Sequence, residues 1–365
     1  MGIKISGVEV INSSRNASFS KISLPPLTIA QIEAMTGNKV GDTVFCSELN
    51  GGIGGLVSWT GSKWNFPPFV ITGGETWTSG SYKYHQFTSD ASIEATFPGT
   101  VEALIIAGGG GGGAGRDGGG GGAGGVAVTA VSINMGSTPV VVGQGGAGMV
   151  AWSGYPLSTP HADGNRGTPS YIGSTVAEGG GSVGGQPSPN IRPGGSGAGG
   201  AFVEPGGSAV NPLYGNPGGG GSNIGGDPEN SNTCGGGGGW GTSGDGGSAP
   251  TRVPGQGGRG RLISELSLFS PVYPGVAWDI PGAPTDPRWS NGFAGGGSGH
   301  GGTFPSNPGR RPANPIGGGG YGQYPGGGAA TGYGGGGGGG GFRADNNTVG
   351  GVGMPGIVII RYLNP

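Results

Sequence analysis

Runs of consecutive glycine constrain this chain more than any other feature of its sequence. Of the 99 glycines among 365 residues, 84 lie between positions 108 and 351. The longest runs occupy 108–113, 118–122, 235–239 and 334–341. Collagen would need glycine at every third position, and a flexible linker would contain little besides glycine and serine. The runs break the collagen period, and the segments between them carry Trp, Tyr, Phe and Arg.

An ordered structure for such runs is a bundle of extended helices of the polyproline II type. This helix has three residues per turn and no internal hydrogen bonds, so its amides and carbonyls bond to neighbouring chains. Ordering a residue costs about 1–2 kcal/mol, and a hydrogen bond returns about 0.5–1.5 kcal/mol. The bundle therefore needs a scaffold, and a disordered tract is the alternative. The predicted structural glycines are Gly108, Gly110, Gly119, Gly219, Gly236, Gly318 and Gly336.

Apolar segments on both sides of the glycine region predict the scaffold. Strand 101–107 leads into the first glycine run, and strand 356–362 follows the last one. If these strands pair, the glycine region starts and ends at one place, as an insertion does. We predict a mainly β fold, a β-sandwich with a bundle of polyglycine II helices inserted at 108–351. Further strands are predicted at 43–47, 56–59, 82–88, 92–97, 126–133 and 138–142.

A small α+β module is predicted to precede the sandwich. The sequence Thr28-Ile-Ala-Gln31 matches a capping box that opens a helix from Ile29 to Met35. Short strands surround this helix, and Trp59 and Trp64 supply apolar bulk. The predicted domains are therefore 1–72 and 73–365.

Segments between the glycine runs are predicted to be surface loops that carry recognition residues. Aromatic and Arg side chains on a rigid frame are typical contact groups in binding. Packing of the same aromatics on the bundle is the alternative for any single residue, and segment 259–294 is predicted to form a mini-core. The candidate contact residues are Trp152, Tyr155, Arg166, Tyr171, Tyr214, Phe269, Tyr273, Trp278, Trp289, Phe304, Arg310, Tyr321 and Tyr324.

Composition and motifs argue against several other functions. A net charge of −2 and a pI near 5.9 do not suit nucleic-acid binding. No apolar run approaches the ~20 residues that a membrane span needs. Cys46 and Cys234 are too few for a disulfide scaffold or a zinc site. We predict no metal, no cofactor and no catalytic residues, and Asp279 with Asp286 is the carboxylate pair to test for glycan cleavage.

The pattern from Phe87 to Tyr362 resembles a known family. An apolar strand ends in a glycine run, Val-Val-Gly-Gln-Gly-Gly-Ala-Gly follows at 141–148, and Gly-Ile-Val-Ile-Ile-Arg-Tyr closes the pattern at 356–362. This looks like the glycine-rich domain of bacteriophage tail proteins. It is also similar to the glycine-rich, tumour-necrosis-factor-like region of the anaplastic lymphoma kinase ectodomain. The resemblance implies a tumour-necrosis-factor-like or jelly-roll-like sandwich that carries polyglycine helices.

The resemblance implies a bacteriophage tail protein, a receptor-binding adhesin or tail-fibre component that presents its loops to the host surface. A purely structural virion protein, such as a decoration, collar or tail subunit, is the alternative. The expected partners are other tail proteins, through the N-terminal module, and a host-cell surface protein or glycan. Synthesis in the host cytoplasm without a signal peptide is expected, with no membrane insertion. The oligomeric state stays open between a homotrimer and a bundle closed within one chain.

Overall fold

The chain divides into two compact units, Met1–Phe69 and Val70–Pro365. Strand Ile71–Thr72 belongs to a sheet of the second unit, so this division falls before residue 70, whereas the predicted boundary followed residue 72. The structure, a computed structural model, describes residues 3–5, 8–11, 26–47, 55–66, 69–115, 118–151, 164–183, 192–201, 203–223, 232–248, 253–283, 286–290, 292–300, 317–323, 326–341 and 348–364.

The first unit contains short strands and one helix. Its strands are β1 (Ile3–Ile5), β2 (Val8–Ile11), β3 (Pro26–Leu27), β4 (Thr43–Cys46) and β5 (Gly55–Ser58). β1 pairs with β2, and the other three form a sheet in the order β3-β4-β5. The side chains of Ile32, Cys46, Val57 and Trp64 are buried and form its apolar interior.

The predicted capping box is present at the start of helix α1 (Ile29–Glu33). The amide of Gln31 donates to the Thr28 hydroxyl at 3.2 Å, and the amide of Thr28 donates to the Gln31 side chain at 2.8 Å. The helix ends at Glu33 rather than at Met35. Its last turn tightens there, because the amide of Met35 donates to the carbonyl of Ile32, three residues back.

Two five-stranded antiparallel sheets form the sandwich of the second unit. The first sheet contains β7 (Glu75–Ser79), β8 (Tyr82–Phe87), β10 (Gly99–Ile106), β11 (Val126–Ile133) and β19 (Ile357–Leu363). Its strand order is β11-β10-β19-β8-β7. The second sheet contains β6 (Ile71–Thr72), β9 (Ala91–Ala95), β12 (Gly136–Val141), β14 (Ser170–Ile172) and β15 (Thr175–Ala177), in the order β15-β14-β12-β9-β6.

Side chains and backbone join the two sheets. The Ser170 hydroxyl donates to the carbonyl of Ile106 at 2.8 Å, and the Tyr362 hydroxyl accepts from the amide of Ile71 at 3.2 Å. From Val101 to Ile106 every residue of β10 is buried, because both faces of this strand are covered. One face meets the second sheet, and the other carries a separate apolar cluster that is described below.

Strands β10 and β19 pair antiparallel, with Ile106 opposite Ile357. The glycine region therefore leaves and re-enters the sandwich at adjacent positions, although β11, β12, β14 and β15 of the sandwich also lie within the predicted insertion at 108–351. The smaller regular elements of this region are β13 (Val150–Ala151), β16 (Ser222–Asn223), β17 (Asn232–Thr233), β18 (Thr348–Val349), a 3-10 helix (Ile263–Phe269) and helix α2 (Pro287–Ser290).

The glycine runs form a lattice of threefold extended helices. In run 108–113 the first and fourth amides donate to segment 165–168, the second and fifth to segment 351–354, and the third and sixth to segment 119–122. Every third amide thus meets the same neighbour, as three residues per turn require. Segment 120–125 repeats the pattern. Its first and fourth amides donate to segment 235–238, its second and fifth to segment 334–337, and its third and sixth to segment 178–181. These are the predicted polyglycine II helices.

Glycine is required in the lattice because neighbouring backbones occupy the places where Cβ atoms would lie. A Cβ on Gly110 would overlap the carbonyl of Gly181, and a Cβ on Gly236 would overlap the carbonyl of Gln256. The seven glycines of the predicted structural core, at 108, 110, 119, 219, 236, 318 and 336, are all buried, and a Cβ on each would collide with a backbone atom. Hydrogen bonds between glycine backbones thus replace side-chain packing.

Candidate functional site: an aromatic cap on the sandwich

The described residues of segment 259–294, here called the aromatic cap, cover the outer face of the first sheet. Side chains alternate along a strand, so Leu104 and Ile106 of β10 share this face with Ile357 and Ile359 of β19. The cap packs its own apolar side chains on them. This buried cluster includes Leu266, Trp278, Ile280, Trp289 and Phe293 from the cap, with Trp240 and Tyr333 from the lattice. The predicted mini-core at 259–294 is therefore present.

A buried ion pair joins the cap to the sheet. Glu102 of β10 and Arg361 of β19 are both 0% exposed, and their side chains lie 2.7 Å apart. Arg361 also donates to the carbonyls of Val276 and Ala277, at 3.1 and 2.8 Å. The Ser270 hydroxyl donates to the other oxygen of Glu102. Because cap groups satisfy both charges, the pair holds the cap in one position.

Aromatic rings enclose the Arg361 guanidinium. Its central carbon lies 4.3 Å from the ring centroid of Trp278 and 5.5 Å from those of Tyr82 and Tyr273. Burial of the hydroxyl is the main reason that the pKa of Tyr273 is raised. The enclosure removes water from the ion pair, so removal of either partner would leave an uncompensated buried charge.

The cap also presents an Arg-aromatic edge. Arg261 lies over the rings of Trp240 and Phe269, at 5.6 and 5.0 Å from their centroids. Glu265 pairs with Arg259 at 3.1 Å and accepts from the backbone amide of Leu262. Phe269 is 37% exposed, and its neighbour Leu268 is 77% exposed. This edge is the most apolar solvent-facing part of the cap.

A groove of about 300 Å³ opens on the cap surface. Its lining includes Leu262, Ile263, Ser264, Trp278, Asp279 and Trp289. Ser264 and Asp279 are exposed, whereas both Trp residues are 4% exposed. Trp77 of β7 donates its indole N–H to the carbonyl of Asp279 at 2.8 Å and so fixes the backbone of this wall.

The structure places the four predicted contact residues of the cap at different depths. Trp278 and Trp289 are core residues, so their side chains can contact a partner only through the floor of the groove. Phe269 and Tyr273 reach the surface. The Tyr273 hydroxyl accepts from the amide of Leu363 at 3.3 Å, which ties it to the end of β19. Both Trp residues are therefore left out of the exposed contact surface.

The remaining candidates are dispersed. Tyr214 is half-buried, and its carbonyl accepts from the amide of Val126 in β11. Arg166, Tyr171 and Tyr321 are half-buried in other parts of the second unit. Trp152, Tyr155, Phe304, Arg310 and Tyr324 lie outside the described residues.

One member of the carboxylate pair named for glycan cleavage, Asp286, is unsuited to the role of general acid. The Asp286 carboxylate accepts from the Arg288 guanidinium at 2.7 Å, and this hydrogen bond lowers the pKa of Asp286. A glycosidase general acid needs a raised pKa instead. Within the described ranges, no cluster of three or more His, Cys, Asp or Glu residues could hold a metal ion.

Two buried histidines lie away from the cap. The pKa of His300, inside the glycine lattice, is lowered to about 4 by burial. The pKa of His85, in β8, is also lowered by burial, although its ring hydrogen-bonds the carbonyl of Gly73 at 2.7 Å. Both rings are therefore neutral at pH 7, and neither faces the groove lining.

Fold and site define a class of protein, a β-sandwich that carries a glycine-helix lattice and displays loops from it. Residues 86–363, most of the chain, match the sequence model of the family described as Glycine-rich domain. The chain therefore belongs to the glycine-rich domain family. No match to a curated protein is found. In the part of the chain that the structure describes, no helix has the length and apolar character that crossing a membrane would require.

Proposed function

We propose that this protein is a recognition protein of a bacteriophage tail, in which the glycine lattice is the frame and the loops bind a molecule on the host surface. Attachment to the virion would be the role of the first unit. The proposal combines the resemblance of the sequence to tail proteins with the division of labour in the second unit.

One observation carries the proposal: the lattice has almost nothing to offer a partner. Most of its glycines are buried, and all of them lack side chains and use their backbone groups mainly on one another. Among the described residues of the cap, Leu268 and Phe269 are exposed, and Phe269 lies under Arg261 on the Arg-aromatic edge. Interfaces draw most of their binding energy from such aromatic and Arg groups.

Deletion of the whole cap would be a poor test, because it would uncover Leu104, Ile357 and Ile359. Substitutions of surface residues give a clearer test, because they leave this core covered. Labelled full-length protein should bind bacterial host cells, and the double variant Leu268→Ser with Phe269→Ser should bind at least about tenfold more weakly. Val40→Ser, at a position that is 76% exposed in the first unit, is the matched control and should bind like the wild type.

Localisation supplies the second arm of the experiment. Antibodies against the protein should label the tails of phage particles that encode it. Labelled particles, with no binding of the pure protein to cells, would instead favour a structural virion protein. Equal cell binding by the double variant and the wild type would remove the Arg-aromatic edge from the proposed contact surface.

A further inference from the structure

From the groove in the aromatic cap we infer a binding site for a neutral saccharide. The inference rests on the proposed function, since it names the class of surface molecule that the cap would recognise. It concerns a different part of the cap from the Arg-aromatic edge, because the groove lining includes Ser264 and Asp279 but neither Leu268 nor Phe269.

The groove has the size of a small-molecule site. Its volume of about 300 Å³ lies at the lower end of the ~300–1,000 Å³ range of ligand pockets. The rim is open to solvent through Ser264 and Asp279, whereas Trp278 and Trp289 form buried walls. A folded protein partner could insert only one side chain here, but one or two sugar rings could lie along it.

The polar groups of the groove match hydroxyls. Asp279 provides a carboxylate that only accepts hydrogen bonds, and Ser264 provides a hydroxyl that donates and accepts. A sugar hydroxyl can donate to the carboxylate, and it can donate to or accept from the Ser264 hydroxyl, so a polyol satisfies both exposed groups together.

Charge disfavours an anionic ligand. The named lining residues include one carboxylate and no Lys or Arg, so an anionic ligand would be repelled by Asp279 and find no cation. A cationic ligand would be attracted by Asp279, but the Arg361 guanidinium already lies 4.3 Å from the centroid of Trp278, so this ring is not free for a second cation. The aliphatic wall of Leu262 and Ile263 suits the C–H face of a neutral sugar.

The test uses the full chain and defined probes. Saturation-transfer NMR and tryptophan fluorescence should detect binding of a methyl glycoside of glucose, galactose, mannose or N-acetylglucosamine. Asp279→Leu should weaken that binding at least about tenfold, because a hydrogen bond to a charged group is lost, and Ser264→Ala should weaken it severalfold. Asp245→Leu, an exposed carboxylate outside the groove lining, is the matched control and should bind like the wild type.

The outcomes separate this inference from the proposed function. Failure of all four glycosides at millimolar concentration, with cell binding intact, would overturn the saccharide site and leave recognition by the cap edge standing. Glycoside binding without any cell binding would support the saccharide site and overturn the proposed recognition of host cells. Equal competition by choline or by the methyl glycoside of N-acetylneuraminic acid, or unchanged binding in both groove variants, would also overturn the inference.

Discussion

The glycine lattice and the aromatic cap are both buried, but they exclude water by opposite means. The lattice packs backbone against backbone and satisfies its amides with carbonyls of neighbouring runs. The cap packs large side chains on a sheet and satisfies one ion pair with its own backbone carbonyls. One added methyl group should therefore destabilise the lattice, whereas one buried charge without a partner should destabilise the cap.

The largest effect is expected from an added methyl group in the lattice. In Gly110→Ala the new Cβ would overlap the carbonyl of Gly181, and surrounding runs prevent either backbone from moving. We expect destabilisation at or above the ~4–5 kcal/mol that marks exceptional substitutions. Gly220→Ala is the control, because its Cβ would lie 3.5 Å from the nearest atom, the carbonyl oxygen of Glu204. Chemical denaturation of both variants measures the difference, and equal stabilities would contradict a close-packed lattice.

A somewhat smaller effect is expected from the ion pair beneath the cap. Arg361→Met leaves Glu102 buried and charged without a partner, so we expect a loss of about 3–5 kcal/mol. In the double variant with Glu102→Leu, no buried charge is left without a partner. The loss of folding stability should therefore be smaller than in Arg361→Met alone. A double-mutant cycle by chemical denaturation measures the coupling. Additive losses would show that the two side chains act independently and do not fasten the cap.

The smallest effect is a pH dependence that belongs to the lattice. His300 has a pKa of about 4 in the folded protein, against an ordinary value of 6.5, so the unfolded chain binds its proton more readily. Its contribution to stability is complete above pH 6.5 and declines as the pH falls toward 4, by up to about 3 kcal/mol. His300→Gln should flatten this part of the stability profile. An unchanged slope in the variant would assign the dependence to other groups, such as His85.

Much of the fold was predictable from local patterns. The apolar strands, the capping box at Thr28 and the insertion between β10 and β19 follow from residue spacing and from what each backbone can do. The threefold lattice followed from glycine content, because only glycine lets backbones approach on every side. Helix α1 ended two residues earlier than predicted, since end geometry depends on hydrogen bonds that no pattern specifies.

The site was less predictable. Trp278 and Trp289 belong to a loop rich in exposed positions, and nothing local shows that both turn inward onto the sheet. Glu102 and Arg361 offered a signal that was not used: each is a single charge in a strand of mostly apolar residues. Such a charge needs a partner when buried, so two of them in paired strands could have indicated the ion pair.

The sequence alone determined that the glycine region had to be a frame. Its runs carry no side chains, and their amides must bond to neighbouring segments of the same chain. It also indicated the two ends of that frame, since strands 101–107 and 356–362 bracket it. The tertiary structure decided which runs are neighbours, which aromatics are buried and where the groove opens. Those outcomes depend on contacts between residues far apart in the chain, and their energies are settled only when all the segments pack together.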